Sequence, residues 1–267
     1  SFTYATADHL WEIRTRHTEL SEVTTTADLI ERNPVSANGC RKFRIPETKP
    51  LKFNGEQELP LDPYLLGVLL GDGSFRSTTL KLSNTDAELL RKVDSICAEK
   101  YDSMLSEKKG QCDYNIITKT RSKDTTKVYQ IIENMGLAGK LSPEKFIPEP
   151  YLFASIQQRT ELLQGLMDSD GTVGLEGSIS FSTTSETLSK QFQFLARSLG
   201  FRCTTASRTT KYTSSTGNKI DGLPSYRSSL LGDGSITPVS LSRKASRLNS
   251  KPSSYRYRFI ESIEPAG

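Results

Sequence analysis

Hydrophobic residues fill almost every position of one short segment, residues 63–72, which reads Pro-Tyr-Leu-Leu-Gly-Val-Leu-Leu-Gly-Asp. A helix that is apolar on all sides belongs in a protein core, so the pattern predicts a buried helix. Asp62 can cap the first free N–H groups of this helix, and Pro63 suits the first helical position. Gly73 is a common residue at a helix end and should terminate it.

A second segment repeats the first at an offset of 98 residues and reads Glu-Leu-Leu-Gln-Gly-Leu-Met-Asp-Ser-Asp-Gly over residues 161–171. Ser155 and Gln158 can form a capping box at the start of this second helix. Internal similarity of this kind indicates two copies of one structural unit. The matching pairs are Gly67 with Gly165, Gly71 with Ser169, Asp72 with Asp170, and Gly73 with Gly171.

The residues that follow the two segments also repeat. Apolar and polar positions alternate from Leu80 and again from Ile179, which is typical of half-buried strands. Thr85-x-x-Glu88 and Thr183-x-x-Glu186 then have the pattern of a helix start. Apolar periodicity predicts helices over residues 89–101 and 188–199. Each half therefore reads as helix, strands, helix, strands and a short helix.

Small residues recur four positions apart in both repeated helices, which allows two backbones to approach closely. If the helices pack side by side, Asp72 and Asp170 meet at their C-terminal ends, where the helix macrodipole disfavours a carboxylate without a cation. Two acids and free carbonyl oxygens suit Mg²⁺, and such a site can hydrolyse phosphodiesters. For a single copy, an ordinary core helix ending in a turn is the simpler interpretation; two copies in register favour the paired site.

The 267 residues suffice for one or two domains, and no apolar run is long enough to span a membrane. We see no signal peptide at the start, and the four cysteines are too far apart for a C-x-x-C zinc site. These features predict an intracellular, cytoplasmic protein.

Charge is distributed unevenly along the chain. The formal charge of the whole is +4, whereas residues 201–260 contain eleven Lys or Arg and only two Asp, hence +9. A basic surface of this size suits a phosphate backbone, although a solvated polar face explains the charge equally well.

Residues 65–73 and 163–171, Leu-Leu-Gly-Val-Leu-Leu-Gly-Asp-Gly and Leu-Gln-Gly-Leu-Met-Asp-Ser-Asp-Gly, resemble the two motifs of single-chain LAGLIDADG homing endonucleases. The similarity covers about residues 59–250. It implies an α+β fold of two pseudo-symmetric αββαββα halves, with a two-helix interface and a saddle of antiparallel sheets on DNA. The implied activity is double-strand cleavage of a long, asymmetric DNA site by a monomer.

The same resemblance implies a metal site. In the family the last acid of each motif binds the metal, which here means Asp72 and Asp170; Gly71 and Ser169, beside them, are further candidate metal-site residues. The expected cofactor is Mg²⁺ or Mn²⁺, with Ca²⁺ as a non-catalytic substitute. Leu70 replaces an acid at position six of the first motif, but that position is not a metal ligand in the family.

The family also places a lysine near each scissile phosphate. Lys145, just before Phe-Ile-Pro, matches this lysine in intein-borne members, and pseudo-symmetry suggests Lys244 for the second half. Each would polarise the attacking water or neutralise phosphate charge. The alternative for either residue is a solvated surface lysine.

The ends of the chain resemble parts of an intein splicing domain. Thr6-Ala-Asp-His9 looks like its Thr-x-x-His segment, here expected to be vestigial, because the nucleophile-bearing segments that splicing needs are missing from this sequence. The predicted organisation is a splicing-domain remnant or N-terminal extension (1–58), two LAGLIDADG halves (59–157 and 158–250) and a strand returning to the splicing domain (251–267).

Strands with alternating basic and polar side chains can read base edges in the major groove. The polar, glycine-containing run Thr209–Pro224 is predicted to be a long hairpin loop. The candidate DNA-binding residues are Arg76, Lys81, Lys119, Arg121, Ser180, Ser182, Arg208, Lys211 and Arg227.

Two alternatives to a nuclease stay open. A non-catalytic nucleic-acid-binding protein of the same fold, such as a maturase or transcription regulator, would be expected to lose motif acids, and this chain keeps both. A protein-splicing element is disfavoured by the missing terminal segments.

Overall fold

The computed structural model describes residues 3–15, 18, 20–53, 55–108, 112–120, 125–213, 219–248 and 257–265. None of the helices in these ranges is long and apolar enough to cross a membrane. In chain order the elements are β1 (Leu10–Thr15), β2 (Ser21–Thr25), α1 (Thr26–Glu31), β3 (Phe43–Pro46), α2 (Pro63–Asp72), β4 (Gly73–Ser74), β5 (Lys81–Ser83), α3 (Ala87–Lys100), β6 (Ser103–Glu107), β7 (Asp113–Thr118), α4 (Lys127–Asn134), α5 (Glu149–Leu152), α6 (Ile156–Ser169), β8 (Gly171–Val173), β9 (Ile179–Thr183), α7 (Glu186–Ser198), β10 (Arg202–Thr213), β11 (Lys219–Leu231), α8 (Ser242–Ala245) and β12 (Tyr257–Phe259).

The chain forms two compact units. The smaller unit comprises residues 1–49 and 253–267, and the larger comprises residues 50–252. In the smaller unit four antiparallel strands lie in the order β12-β3-β1-β2 around a small core of Ile13, Leu29 and Phe43.

The larger unit contains the same order of elements twice. Helix α2, strands β4 and β5, helix α3, strands β6 and β7 and helix α4 form the first half; α6, β8, β9, α7, β10, β11 and α8 form the second. Each half has one four-stranded antiparallel sheet, ordered β4-β5-β7-β6 and β10-β11-β9-β8. The α+β prediction of two αββαββα halves is confirmed.

Helices α2 and α6 form the interface between the two halves, as predicted. From Tyr64 to Leu70 every residue of α2 is buried, in keeping with its nearly continuous apolar sequence. A methyl group on Gly67 would lie 2.5 Å from the carbonyl oxygen of Leu162, and one on Gly165 would lie 2.2 Å from that of Tyr64. Only glycine permits this contact, because any side chain would collide with backbone atoms.

The predicted helix starts are correct for α2 and α6 but wrong for α3 and α7. Asp62 caps α2, and the Ser155–Gln158 capping box forms at α6. Helix α3 is instead capped by Asp86, and α7 by Ser185. Both helices start later than the Thr-x-x-Glu pattern predicts, because these side chains accept the first free N–H groups.

The segment Thr209–Pro224 is not a long loop. Strands β10 and β11 extend through most of it as one long antiparallel hairpin, paired from Arg202 with Leu231 to Thr213 with Lys219. Threonine and tyrosine favour extended backbone, which outweighs the polar composition on which the loop prediction depended. Residues 214–218 lie outside the described part of the chain.

Candidate active site

The two motif acids lie at adjacent helix ends. Asp72 is the last residue of α2, and Asp170 follows directly after α6. A methyl group on Gly71 would lie 2.1 Å from Ser169 Oγ and 3.3 Å from the backbone nitrogen of Asp170. The two helices are therefore in contact at the residues that directly precede the two acids.

The surroundings of both acids raise their pKa values. Crowding by the surrounding protein raises the pKa of Asp170 to about 6, although the residue keeps an exposed surface, and the negative charge of Asp72 adds to the rise. Burial also raises the pKa of Asp72, whereas a hydrogen bond from Asn84 and the charges of Lys244 and Lys145 oppose the rise. The carboxylates thus repel each other at close quarters, which a cation between them would relieve.

Lys145 holds the C-terminal end of α2. Its ammonium group is buried and donates to carbonyl oxygens of Leu70 at 2.9 Å, Gly71 at 3.1 Å and Gly73 at 2.7 Å. Burial lowers the pKa of Lys145 to about 8, against the charges of Asp170 and Asp72. A positive charge at this position compensates the negative end of the helix macrodipole.

Lys244 does the same for α6. Its buried ammonium group donates to the carbonyl oxygens of Met167, Asp168 and Gly171 at 2.7, 2.7 and 2.6 Å. Burial lowers its pKa too. Neither lysine is a solvated surface residue, and their matching contacts extend the twofold relationship of the halves to the site.

The segments that carry these lysines are bound by the opposite half. Ser185 Oγ, at the start of α7, donates to the carbonyl oxygen of Lys145 at 2.7 Å. Correspondingly, Glu88 in α3 accepts from the backbone N–H of Ser242 at 3.0 Å, and Asp86 accepts from Arg243. Each lysine is therefore held by both halves of the larger unit.

Asp168 occupies position six of the second motif and is fully buried. It accepts hydrogen bonds from Tyr64 Oη at 3.0 Å and from Ser240 Oγ at 2.5 Å, and one from the backbone N–H of Ser240 at 3.0 Å. The acid therefore anchors the segment that leads to Lys244. This role could not be predicted from the sequence, because nothing near Asp168 in the chain identifies Tyr64 or Ser240 as its partners.

A polar cleft of about 230 Å³ lies beside Asp170. Hydroxyl groups dominate its walls, and the buried Thr184 Oγ1 has no hydrogen-bond partner within the described part of the chain. The lining residues are Leu70, Gly71, Ser142, Lys145, Asp170, Ser182, Thr183, Thr184 and Ser225.

Four predicted DNA-binding residues share one face of the second sheet. The ring of Phe181 stacks on Phe192 of α7 at 4.3 Å, so the alternating Ser180 and Ser182 point to the opposite, open face, where Ser182 is exposed and Ser180 is buried. Arg227 pairs with Ser182 across the strands and donates to Ser180 Oγ at 3.1 Å. Arg208, two pairs further along β10, lies on the same face. The side chain of Lys211 lies outside the described residues.

Fewer of the predicted DNA-binding residues lie on the open face of the first sheet. Lys81 pairs with Asn115 on its open face, and Arg76 is exposed after β4. Lys119 instead donates to the carbonyl oxygen of Ala98 in α3 at 2.7 Å. Arg121 lies outside the described residues. The open face also carries the exposed, paired residues Met104 and Ile117. The search for basic and polar side chains along the strands could not predict this apolar patch.

Thr6 and His9 belong to the smaller unit. The backbone N–H of His9 donates to the carbonyl oxygen of Thr6 at 3.2 Å, and its ring lies edge-on to Trp11 at 4.6 Å. Both residues are exposed. The Thr-x-x-His segment is thus a surface turn.

The residues present fit a divalent cation held by few protein ligands. Among the described residues no group of three or more His, Cys, Asp or Glu side chains converges. Within the described ranges, Asp72 and Asp170 are the two carboxylates at the helix ends, which matches the preference of Mg²⁺ for one or two carboxylates with water and phosphate oxygens. The carbonyl oxygens of Gly71 and Ser169 face the lysine ammonium groups, Ser169 at 3.5 Å from Lys244.

Comparison with known proteins identifies one domain. Residues 157–227 match the family model described as a LAGLIDADG-like domain. The replicative DNA helicase DnaB of Mycobacterium intracellulare is 29% identical over 153 residues, which are 57% of this chain and 21% of that protein. The chain therefore spans about a fifth of the length of this curated relative.

Solved structures of the homing endonuclease I-DmoI are also similar. One of its mesophilic variants aligns with a TM-score of 0.36 and 14% identity over 70% of this chain and 92% of that chain. I-DmoI in complex with DNA and Ca aligns with a TM-score of 0.35 and 13% identity over 64% and 82%. Residues 157–227 thus match a LAGLIDADG-like domain, and the first half of the larger unit has the same order of elements as the half that contains this match.

Proposed function

We propose that this chain is a site-specific endonuclease that hydrolyses double-stranded DNA with divalent metal ions. One observation carries the proposal: the two motif acids lie at adjacent helix ends, where burial raises both pKa values and the charge of Asp72 raises that of Asp170 further. Two acids at helix C-terminal ends are costly, and their pKa values stay raised despite the nearby charges of Lys145 and Lys244, so the most direct use of the pair is to hold a metal.

In the proposed mechanism, Asp72 and Asp170 hold Mg²⁺ or Mn²⁺, with Ca²⁺ as a non-catalytic substitute. When bound, the metal activates water and stabilises charge on the phosphate. Lys145 and Lys244 keep the helix ends rigid and offset their negative dipoles. Arg208 and Arg227, with Ser180 and Ser182 beside them, would contact the duplex from the open sheet face.

Both acids come from one chain, which supports action as a monomer on an asymmetric DNA site. The likeness to a much longer replicative helicase, of which the chain spans about a fifth, supports an origin as an intein-borne insert. Thr6 and His9 would then be vestiges of splicing. The helicase gene with the matching segment deleted is therefore the first DNA to test as a target.

Cleavage of defined DNA tests the proposal. The chain is incubated with Mg²⁺ and either a plasmid carrying that fused gene junction or a library of random duplexes, and cut ends are sequenced. We expect metal-dependent cuts at one long sequence in the wild type and none in Asp72→Asn or Asp170→Asn. Specific binding without cleavage by the wild type would instead support the non-catalytic alternative.

A further inference from the structure

Asn84 makes a contact with the first motif acid that has no counterpart at the second among the residues that the structure describes. Its side-chain nitrogen Nδ2 donates to Asp72 Oδ2 at 2.5 Å. Its oxygen Oδ1 accepts from the backbone N–H of Asp86 at 2.7 Å. Because the oxygen must face that N–H, the amide can turn only its NH₂ group toward Asp72, so the orientation is fixed at both ends.

Thr183 occupies the corresponding place in the second half. Leu82 pairs with Gly73 and Phe181 pairs with Gly171, so Asn84 and Thr183 each lie two residues beyond the matched pair. Thr183 Oγ1 also accepts from the N–H two residues on, that of Ser185 at 3.1 Å. Among the described residues no hydrogen bond joins Thr183 to Asp170, which borders the polar cleft instead.

We propose that Asn84 is a positioning residue that fixes the Asp72 carboxylate toward the metal, and that the second half lacks this support, so the two half-sites are not equivalent. The inference rests on the proposed nuclease function. With Oδ2 engaged by the amide, Asp72 can offer Oδ1 without reorienting. Hydrogen bonds to a ligating carboxylate fix its orientation, and their loss costs roughly 10–100-fold in metal affinity or activity.

The chain supplies its own matched substitution. Asn84→Thr installs the residue of the second half, keeps an acceptor for the N–H of Asp86 and removes only the donor to Asp72. Thr183→Asn offers the same amide to Asp170. Mn²⁺ binding to the free protein is measured by calorimetry, and single-turnover nicking is measured with each DNA strand labelled separately.

We expect Asn84→Thr to weaken Mn²⁺ binding roughly 10–100-fold and to slow the nicking of one strand by a similar factor. The other strand, DNA affinity and Tm should stay close to the wild type, which a merely structural role would not produce. Thr183→Asn should narrow the difference in rate between the strands.

Unchanged Mn²⁺ affinity in Asn84→Thr, or equal slowing of both strands, overturns the inference. If the wild type cuts no DNA but Asn84→Thr still weakens Mn²⁺ binding, the nuclease proposal fails while the role of Asn84 at Asp72 survives. If the wild type neither cuts DNA nor binds Mn²⁺, both fail.

Discussion

Gly67 and Gly165 lie directly against each other where α2 packs on α6, and a methyl group added to either would be 2.9 Å from the Cα atom of the other. This contact sets the distance between the two helices. It therefore also sets how closely Asp72 and Asp170 approach at the helix ends.

Gly165→Ala should destabilise the larger unit. The added methyl group would overlap the backbone of Tyr64 and Val68, and overpacking of this kind costs about 1–3 kcal/mol, more than alanine gains in helix propensity. We expect the free energy of unfolding in urea to fall by about 2 kcal/mol. Gly55→Ala is the control, because a methyl group there meets no atom of the described residues within 4 Å. Equal losses in both variants would contradict the role of the glycine contact.

The paired helices could be predicted from the sequence, whereas some contacts of the site could not. A repeat of Gly67, Asp72 and their partners 98 residues later predicts the paired helices, because two identical patterns in register have few explanations. The contact of Asn84 with Asp72 could not be predicted, because it depends on how β5 returns beside α2. The start of α3 was missed for a local reason: Thr85 and Asp86 are both good caps, and only the turn made by Asn84 selects Asp86.

Asp170→Asn should stabilise the metal-free protein at neutral pH. The folded-state pKa of Asp170 is raised from the usual 3.8 to about 6, so its protonated form is favoured on folding. That contribution is fully present below pH 4 and is lost as the pH rises through about 6. Because solvent reaches the side chain and screens its charge, we expect a gain of about 1 kcal/mol at pH 7.5.

Urea denaturation in EDTA at pH 4.0 and 7.5 measures this effect. The variant and the wild type should have nearly equal free energies of unfolding at pH 4.0 and differ at pH 7.5. Glu186→Gln is the control, because Lys190 lowers the pKa of this exposed acid, so its replacement should not stabilise the protein at pH 7.5. An Asp170→Asn variant that is less stable than the wild type at pH 7.5 would contradict the raised pKa of Asp170, which burial and the charge of Asp72 cause.

Divalent cations should stabilise the wild type through the same acids. A ligand at 100 times its Kd adds about 2.7 kcal/mol to the free energy of unfolding, so saturating Mn²⁺ should raise Tm by several degrees. In the double variant Asp72→Asn and Asp170→Asn the rise should disappear, because no carboxylate remains at the helix ends. Thermal unfolding followed by circular dichroism with and without Mn²⁺ tests this, and an undiminished rise in the double variant would place the metal elsewhere.

Arg227→Ala should weaken specific DNA binding more than nonspecific binding. The guanidinium group lies on the open sheet face and is steadied by Ser180 at 3.1 Å, so it can address a base edge in the major groove. Loss of such a contact costs about 1–3 kcal/mol and relaxes sequence preference at one position. Lys190→Ala is the matched control, because Lys190 pairs with Glu186 on α7, which covers the other face of the sheet. Dissociation constants for specific and nonspecific DNA at two salt concentrations distinguish a base contact from a phosphate contact. An equal loss of affinity for all DNA sequences, with a shallower salt dependence, would show that Arg227 contacts only phosphate.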